Sequence, residues 1–115
     1  MKEILELLES SKFVADYKIE EYREFKEGFY IKIIVRFSDD SVLFIREYSD
    51  TAERNYSYHW QDSKSNLLLR WDNSPFHKEI NTFPHHKHEK GQVFPSFEIT
   101  IKDVMTHIGK NISGK

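Results

Sequence analysis

The sequence predicts an α+β domain in which one antiparallel sheet, a meander of about five strands, is packed by an N-terminal and a C-terminal helix. Three observations support this architecture. Apolar residues recur at helical spacing at both ends of the chain, they alternate with polar residues through the middle, and turn-forming residues separate the alternating runs. A chain of 115 residues is long enough to bury one core and too short for two domains.

The two predicted helices lie at the ends of the chain. Near the N-terminus, four aliphatic side chains occupy one face of a short helix and glutamates occupy the other (Ile4, Leu5, Leu7, Leu8). Near the C-terminus, Thr100 followed by Asp103 has the pattern of a capping box, and an apolar stripe from Ile101 to Ile108 follows it. These patterns predict one helix on each side of the sheet-forming segment.

The segment between the helices predicts the sheet. From Phe13 onward the apolar residues recur at every second position, and Gly28 and the run "SDDS" separate the first strands. After the fifth run, the chain holds all three of its prolines within 73–98, which predicts a long loop. We therefore expect a single domain with a helix over 1–10, the sheet over 12–72, a histidine-rich loop over 73–98 and a helix over 99–110.

Composition excludes several classes of protein and site. The chain has no cysteine, so it has no disulfide, no thiolate metal site and no cysteine nucleophile. No apolar run approaches the roughly 18 residues that a membrane span needs, and acidic residues interrupt the apolar positions of the N-terminus, unlike a signal peptide. We expect a cytoplasmic protein without membrane association.

Charge is unevenly distributed along the chain. The net charge is −2 and the pI is about 6.3, well below that of a strongly basic DNA-binding domain. Residues 54–92, however, carry six bases against four acids, together with five of the six histidines. This segment therefore predicts a local cationic surface that faces an anion.

Two neighbouring predicted strands carry aromatic and polar residues in alternation. In "RNYSYHWQD" and "NLLLRWD" one face presents mainly aromatic and aliphatic side chains (Tyr56, Tyr58, Trp60, Leu67, Leu69, Trp71), and the other presents mainly polar ones (Ser57, His59, Gln61, Leu68, Arg70, Asp72). Two interpretations remain open. In one, the aromatic face is the core and the polar face is solvated. In the other, the polar face carries a functional patch across the two paired strands (His59, Gln61, Arg70, Asp72); nucleic-acid binders also use exposed aromatic rings as platforms for unstacked bases.

The stretch "TFPHHKH" contains His85, His86 and His88, for which three interpretations remain open. As metal ligands, these histidines would bind a divalent transition metal, with His59 or Asp72 completing the set. As acid/base groups without a cofactor, they suit RNA cleavage, which needs a proton acceptor, a proton donor and cations such as Arg70 and Lys87. The third interpretation is a solvated loop that happens to be rich in histidine.

Together, "YSYHWQ", "RWDNSPFH" and "TFPHHKH" resemble the TumE-type toxin family, from about Arg46 through Pro95. The resemblance implies the toxin of a type II toxin–antitoxin system, neutralised through direct contact with a helix-turn-helix antitoxin. It also implies the candidate site residues that the motifs contain (His59, Trp71, Asp72, Asn73, His77, His85, His86, His88). One position departs from the pattern: the family tends to have two adjacent histidines after the proline, whereas Phe76 precedes His77 here.

Three hypotheses for function follow. The leading one is a toxin that acts on RNA by metal-independent acid/base chemistry. Its candidate catalytic residues are His59, Arg70, Asp72, His85, His86 and His88, and its candidate substrate-binding residues are Trp60, Trp71, Asn73, His77 and Lys87. The first alternative is a metal-dependent hydrolase or nucleotide-modifying enzyme with His85, His86 and His88 as ligands. The second is a non-catalytic partner-binding protein, and a homodimer is compatible with the edge strands of a meander.

Overall fold

The computed structural model describes residues 1–75 and 78–114. Helix α1 spans Lys2–Ser10 and helix α2 spans Ile101–Ser113. Between them lie seven strands: β1 Val14–Phe25, β2 Gly28–Phe37, β3 Val42–Ser49, β4 Arg54–Gln61, β5 Leu67–Asp72, β6 His86–Glu89 and β7 Gln92–Pro95. The strands form one sheet in sequence order, and each pairs antiparallel with the next.

The predicted α+β class, with one antiparallel sheet and a helix at each end, is confirmed. The number of strands was wrong, because the described sheet has seven rather than about five. The two additional strands form a hairpin inside the segment that was predicted as a loop. Strand β6 reads "HKHE" and has no apolar alternation, so its pairing with β5 is visible only in the folded chain.

The turn of this hairpin gives a local signal for the two extra strands. Lys90 and Gly91 are its two central residues, and both have positive φ, 52° and 76°. A two-residue turn with positive φ at both positions matches the twist of antiparallel strands, and glycine adopts that conformation without steric cost. Pro95 in β7 lies on an outer strand, where a missing N–H breaks no ladder.

The core lies between the helices and one face of the sheet. Alternate residues of β2 are fully buried, namely Ile31, Ile33 and Val35, and the residues between them are not. The helices cover this face with Leu8 of α1 and with the apolar stripe of α2 (Ile101, Val104, Ile108). The alternate side chains of the strands lie on the opposite surface of the sheet, which we call the open face.

Helix α2 is attached to the sheet by polar contacts as well as by its apolar stripe. Its first turn has a reciprocal capping box between Thr100 and Asp103. Just before it, the Ile99 carbonyl accepts a hydrogen bond of 2.8 Å from Arg54, which also pairs with Glu47. These contacts fix the end of β4 relative to the helix.

Within the described residues, no helix combines the length and apolar character that a membrane crossing requires.

Candidate functional site

The open face brings polar residues from three adjacent strands into two rows. The register places Arg70 on β5 between His59 on β4 and His88 on β6. In the neighbouring row, Asp72 lies between Ser57 and His86. Because adjacent strands are about 4.8 Å apart, each row holds its side chains within reach of a single ligand.

Asp72 is the centre of this cluster and is only 5% exposed. Its Oδ1 accepts hydrogen bonds from the Ser74 backbone N at 3.1 Å and from Ser74 Oγ at 2.9 Å. Its Oδ2 accepts one from Arg70 Nε at 3.1 Å. Two imidazoles complete the shell, with His86 Nε2 at 2.8 Å from Oδ1 and His88 Nε2 at 3.5 Å from Oδ2.

The environment of Asp72 keeps it ionised. Burial alone would raise the pKa of this carboxyl group, because removal from water disfavours the charged form. The hydrogen bonds from Ser74, the charge of His86 and the hydrogen bond from Arg70 outweigh burial, and the net result is a pKa below the usual value. The site therefore holds a fixed negative charge beside Arg70.

His86 is the most enclosed imidazole of the cluster, at 2% exposed. Its Nδ1 lies 2.9 Å from the carbonyl oxygen of Pro84. A carbonyl only accepts hydrogen bonds, so Nδ1 carries a proton and Nε2 is the nitrogen that faces Asp72. The ring of His86 also packs edge-on against that of His88, with 4.9 Å between the ring centroids. His86 therefore restricts the orientation of the His88 ring.

The contacts of His59 select one tautomer of its neutral ring. Arg70 Nη1 donates to its Nδ1 at 3.3 Å, and its Nε2 lies 3.2 Å from Gln61 Oε1. A donor at Nδ1 and an acceptor at Nε2 select the tautomer with its proton on Nε2. Burial lowers the pKa of His59, the Gln61 hydrogen bond partly opposes this, and the Arg70 charge lowers the pKa further.

Strand alternation separates the three clustered histidines. His86 and His88 face the site, whereas His85 lies across the sheet with Tyr56, whose hydroxyl is 2.9 Å from His85 Nδ1. Burial raises the pKa of Tyr56 to about 12, so its hydroxyl stays protonated in this contact. We therefore leave His85 out of the site, because the sheet lies between it and Asp72.

Three further predicted residues also lie away from the cluster. Trp60 and Trp71 are 4% and 3% exposed and belong to the core on the helix side, so neither ring is available as a platform for a base. The burial agrees with the interpretation of the aromatic face as core. Lys87 pairs in register with Trp71 and shares its face, opposite Asp72.

Asn73 has a structural role at the end of β5. Its Oδ1 accepts a hydrogen bond from the Tyr56 backbone N at 2.9 Å, and its Nδ2 donates to the Arg54 carbonyl at 2.6 Å. Both bonds go to the backbone at the start of β4. The amide group of Asn73 is therefore already used and is not free to bind a substrate. Phe76 and His77 lie outside the described residues.

Asp72, His86 and His88 could hold a metal ion, because their ligand atoms all lie within 4.8 Å of one another. Imidazole nitrogen and carboxylate oxygen suit zinc and similar divalent transition metals. The sequence predicted His85, His86 and His88 as the ligands of such an ion. In the structure Asp72, not His85, lies beside the other two. Both Asp72 oxygens already accept hydrogen bonds from Ser74 and Arg70, with which an ion would have to compete.

Residues of β2 and β3 extend the site in a way that the sequence reasoning missed. Lys32, Phe44 and Arg46 lie on the open face beside Ser57 and His59. A signal was present in the sequence, because Phe44 shares its side of the strand with Arg46, opposite the apolar positions Leu43 and Ile45. The site therefore reaches from β6 to β2 across the open face.

A protein-family model matches this chain. The model described as "Toxin TumE" matches residues 4–112, which is nearly the whole chain. The chain belongs to the TumE toxin family. No curated protein and no solved structure matches it.

Membership of the TumE family supports a toxin role and implies an antitoxin partner. The resemblance read from the three motifs is thereby confirmed, and the match extends it beyond Arg46–Pro95 to both helices. All three motifs contribute described residues to the open-face cluster, with His59 from the first, Arg70 and Asp72 from the second, and His86 and His88 from the third.

Proposed function

We propose that this toxin acts on RNA and cleaves a phosphodiester bond at the row formed by His59, Arg70 and His88. The observation that carries the proposal is the strand register, which places a cation between two imidazoles on one exposed surface. Cleavage next to a 2′-hydroxyl needs this set of groups: a proton acceptor, a proton donor and a positive charge near the phosphoryl oxygens.

The roles follow from the surroundings of each residue. His59 is the base, since its lowered pKa keeps it neutral near pH 7. Its Nδ1, the nitrogen without a proton, takes the 2′-hydroxyl proton when the Arg70 guanidinium turns from it to the phosphoryl oxygens. The 2′-oxygen then attacks phosphorus as the bond to the 5′-oxygen breaks, leaving a cyclic phosphate and a free 5′-hydroxyl. Arg70 stabilises the charge that builds on the phosphoryl oxygens. His88 donates a proton to the leaving 5′-oxygen, and the nearby Asp72 carboxylate favours its protonated form.

The test compares two histidines that are close in sequence but lie on opposite faces. Induced expression of the wild type is expected to arrest growth, and His88→Ala is expected to relieve the arrest. His85→Ala is the matched control and should remain toxic if it folds, because the sheet separates it from the cluster. Purified wild type should cleave single-stranded RNA in the presence of a chelator, and loss of one acid/base group should slow cleavage by about 10²–10⁴-fold.

Two results would contradict the proposal. One is undiminished toxicity of a folded His59→Ala/His88→Ala double variant. The other is intact cellular RNA after arrest by the wild type. Undiminished toxicity of the double variant would favour the non-catalytic alternative, in which the protein acts only by binding a partner. Intact RNA would favour either that alternative or an enzyme that modifies nucleotides.

The partner that we propose is a helix-turn-helix antitoxin that neutralises the toxin through direct contact. Co-expression with such an antitoxin should restore growth, and the two proteins should elute together in size-exclusion chromatography. The same column reports whether the toxin alone forms the homodimer that its edge strands allow. An RNA target places the action of the toxin in the cytoplasm.

A second candidate function is a metal-dependent hydrolase or nucleotide-modifying enzyme. It is favoured by the convergence of Asp72, His86 and His88. Elemental analysis of purified protein decides between the two: a stoichiometric transition metal whose removal abolishes activity supports this candidate. Activity that survives complete chelation removes it.

A further inference from the structure

A groove on the open face lies next to the proposed cleavage row. It has a volume of about 280 Å³ and is lined mainly by side chains of β2, β3 and β4 (Lys32, Ile34, Phe44, Arg46, His59, Gln61). His59 belongs both to this groove and to the cleavage row. A single RNA strand could therefore place one nucleotide in the groove and its neighbouring phosphate on Arg70.

One end of the groove carries two adjacent cations. Lys32 and Arg46 are directly opposite each other in the register of β2 and β3. Like charges in this arrangement destabilise a sheet unless a counter-charge is present. Glu21 lies opposite Lys32 in the register of β1 and β2, but its carboxylate pairs with Arg23. Among the described residues, no carboxylate oxygen lies within 4.0 Å of a charged nitrogen of Lys32 or Arg46.

Arg46 differs in this respect from the other arginines. The chain has five arginines, and in the described part the remaining four each pair with at least one carboxylate (Arg23, Arg36, Arg54, Arg70). Among the described arginines, Arg46 is thus the one whose guanidinium has no carboxylate within 4.0 Å. Two adjacent cations without a carboxylate partner are suited to bind the oxygens of a phosphate.

The other end of the groove is aromatic and apolar. Phe44 is 37% exposed and lies in register between Ile34 and His59, whose ring it meets edge-on at 5.9 Å. Phe44 is two residues from Arg46 on one strand, which separates them by about 7 Å. An exposed ring beside cations is the arrangement by which proteins bind single-stranded nucleic acids, with bases stacked on the ring.

We infer that this groove binds the nucleotide next to the scissile phosphate, with its phosphate on Lys32 and Arg46 and its base against Phe44. The inference rests on the proposed function for the identity of the ligand as RNA. It adds a substrate-positioning site on strands that none of the three sequence motifs assigns to function. The toxin should therefore require single-stranded RNA, because a paired base cannot reach the ring of Phe44.

Fluorescence anisotropy tests the groove with a labelled single-stranded oligouridine of roughly a dozen nucleotides, a length near the upper range for one small binding domain. Binding is measured over a series of salt concentrations, on a His88→Ala background in which cleavage is slowed by about 10²–10⁴-fold. Phe44→Ala should weaken binding by about 5- to 100-fold without changing the salt dependence. Phe44→Tyr, which keeps the ring, should bind like the parent.

The end of the groove that carries Lys32 and Arg46 is tested by the salt dependence of binding. Arg46→Gln should lower the slope of log K against log salt by about 0.7, the value for one phosphate contact on a single strand. Arg36→Gln is the matched control, because Arg36 lies on the same sheet but is already paired with Asp16 and Asp40. The control should leave the slope unchanged.

The outcomes separate this inference from the proposed cleavage. Cleavage of RNA by Phe44→Ala and Arg46→Gln with unchanged KM would overturn the groove and leave the proposed function standing. RNA bound through Phe44 and Arg46 but never cut would support the groove and overturn the cleavage. No binding of RNA by a folded protein would overturn both.

Discussion

The substitution Asp72→Asn tests the centre of the site, because it keeps the shape of the side chain and removes its charge. Asp72 accepts three hydrogen bonds, two from Ser74 and one from Arg70. An asparagine amide has one acceptor oxygen and one donor nitrogen. In one orientation the nitrogen meets the Arg70 donor, and in the other it meets the donors of Ser74. Neither orientation satisfies the site.

The expected loss of stability follows from these contacts. A hydrogen bond to a charged group contributes about 1.5–3 kcal/mol. Arg70 is 38% exposed on its side chain, so solvent screening places its contribution near the lower end of that range. We expect Asp72→Asn to lower the free energy of unfolding by about 2 kcal/mol. At about 3–4 °C per kcal/mol for a chain of this size, Tm falls by about 7 °C.

The dependence on pH distinguishes a charge effect from a packing effect. The folded-state pKa of Asp72 lies below its ordinary value of 3.8, so the charge stabilises the fold above that pH. Its contribution is lost as the pH falls through the folded pKa. The difference in the free energy of unfolding between wild type and Asp72→Asn should therefore become smaller as the pH falls below 3.8.

Urea unfolding is the appropriate assay, with fluorescence of the buried tryptophans Trp60 and Trp71 as the signal. The matched control is Asp16→Asn, which breaks an exposed ion pair with Arg36 and should change stability by less than about 0.5 kcal/mol. If Asp72→Asn is no more destabilising than this control, the carboxylate does not organise the site. A difference that is independent of pH would show that packing, not charge, is responsible.

Three further predictions concern pH and backbone geometry. Arg70→Gln removes a positive charge beside His59, so an NMR titration should show the pKa of that imidazole rising toward 6.5; an unchanged pKa would contradict the contact. Burial and then the nearby Lys87 charge lower the folded-state pKa of His107 below 6.5, so its contribution to stability is present above pH 6.5 and is lost as pH falls through the folded pKa. His107→Leu should therefore reduce the fall in Tm between neutral pH and about pH 5, and an identical fall would argue against this assignment. Gly28→Ala should lower the free energy of unfolding by about 1–3 kcal/mol, because a Cβ there would collide with a backbone carbonyl oxygen. Gly91→Ala should lower it by about 1 kcal/mol, because only its positive φ opposes a side chain. Urea unfolding should rank Gly28→Ala as the more destabilising of the two.

Sequence reasoning recovered the architecture where the pattern was regular. Alternation over β2 to β5 and the apolar stripes of the two helices follow from one physical requirement, that each element bury one side. Strand β1, at the edge of the sheet, has no buried residue. The pattern did not reveal β6 and β7. Both strands have only four residues: β6 pairs with β5, β7 pairs with β6, and the turn at Lys90 and Gly91 joins them. Segments this short are held by backbone pairing and produce no extended apolar period.

The sequence by itself determined the fold class, the family and the residue types of the site, since periodicity and motifs are local properties of the chain. Only the tertiary structure decided which of those residues meet. Pairing of β6 with β5 brings His86 and His88 to Asp72, and the two-residue period of a strand turns His85 to the other face. The same sheet places Phe44 and Arg46 beside His59, because neighbours across strands are distant in sequence.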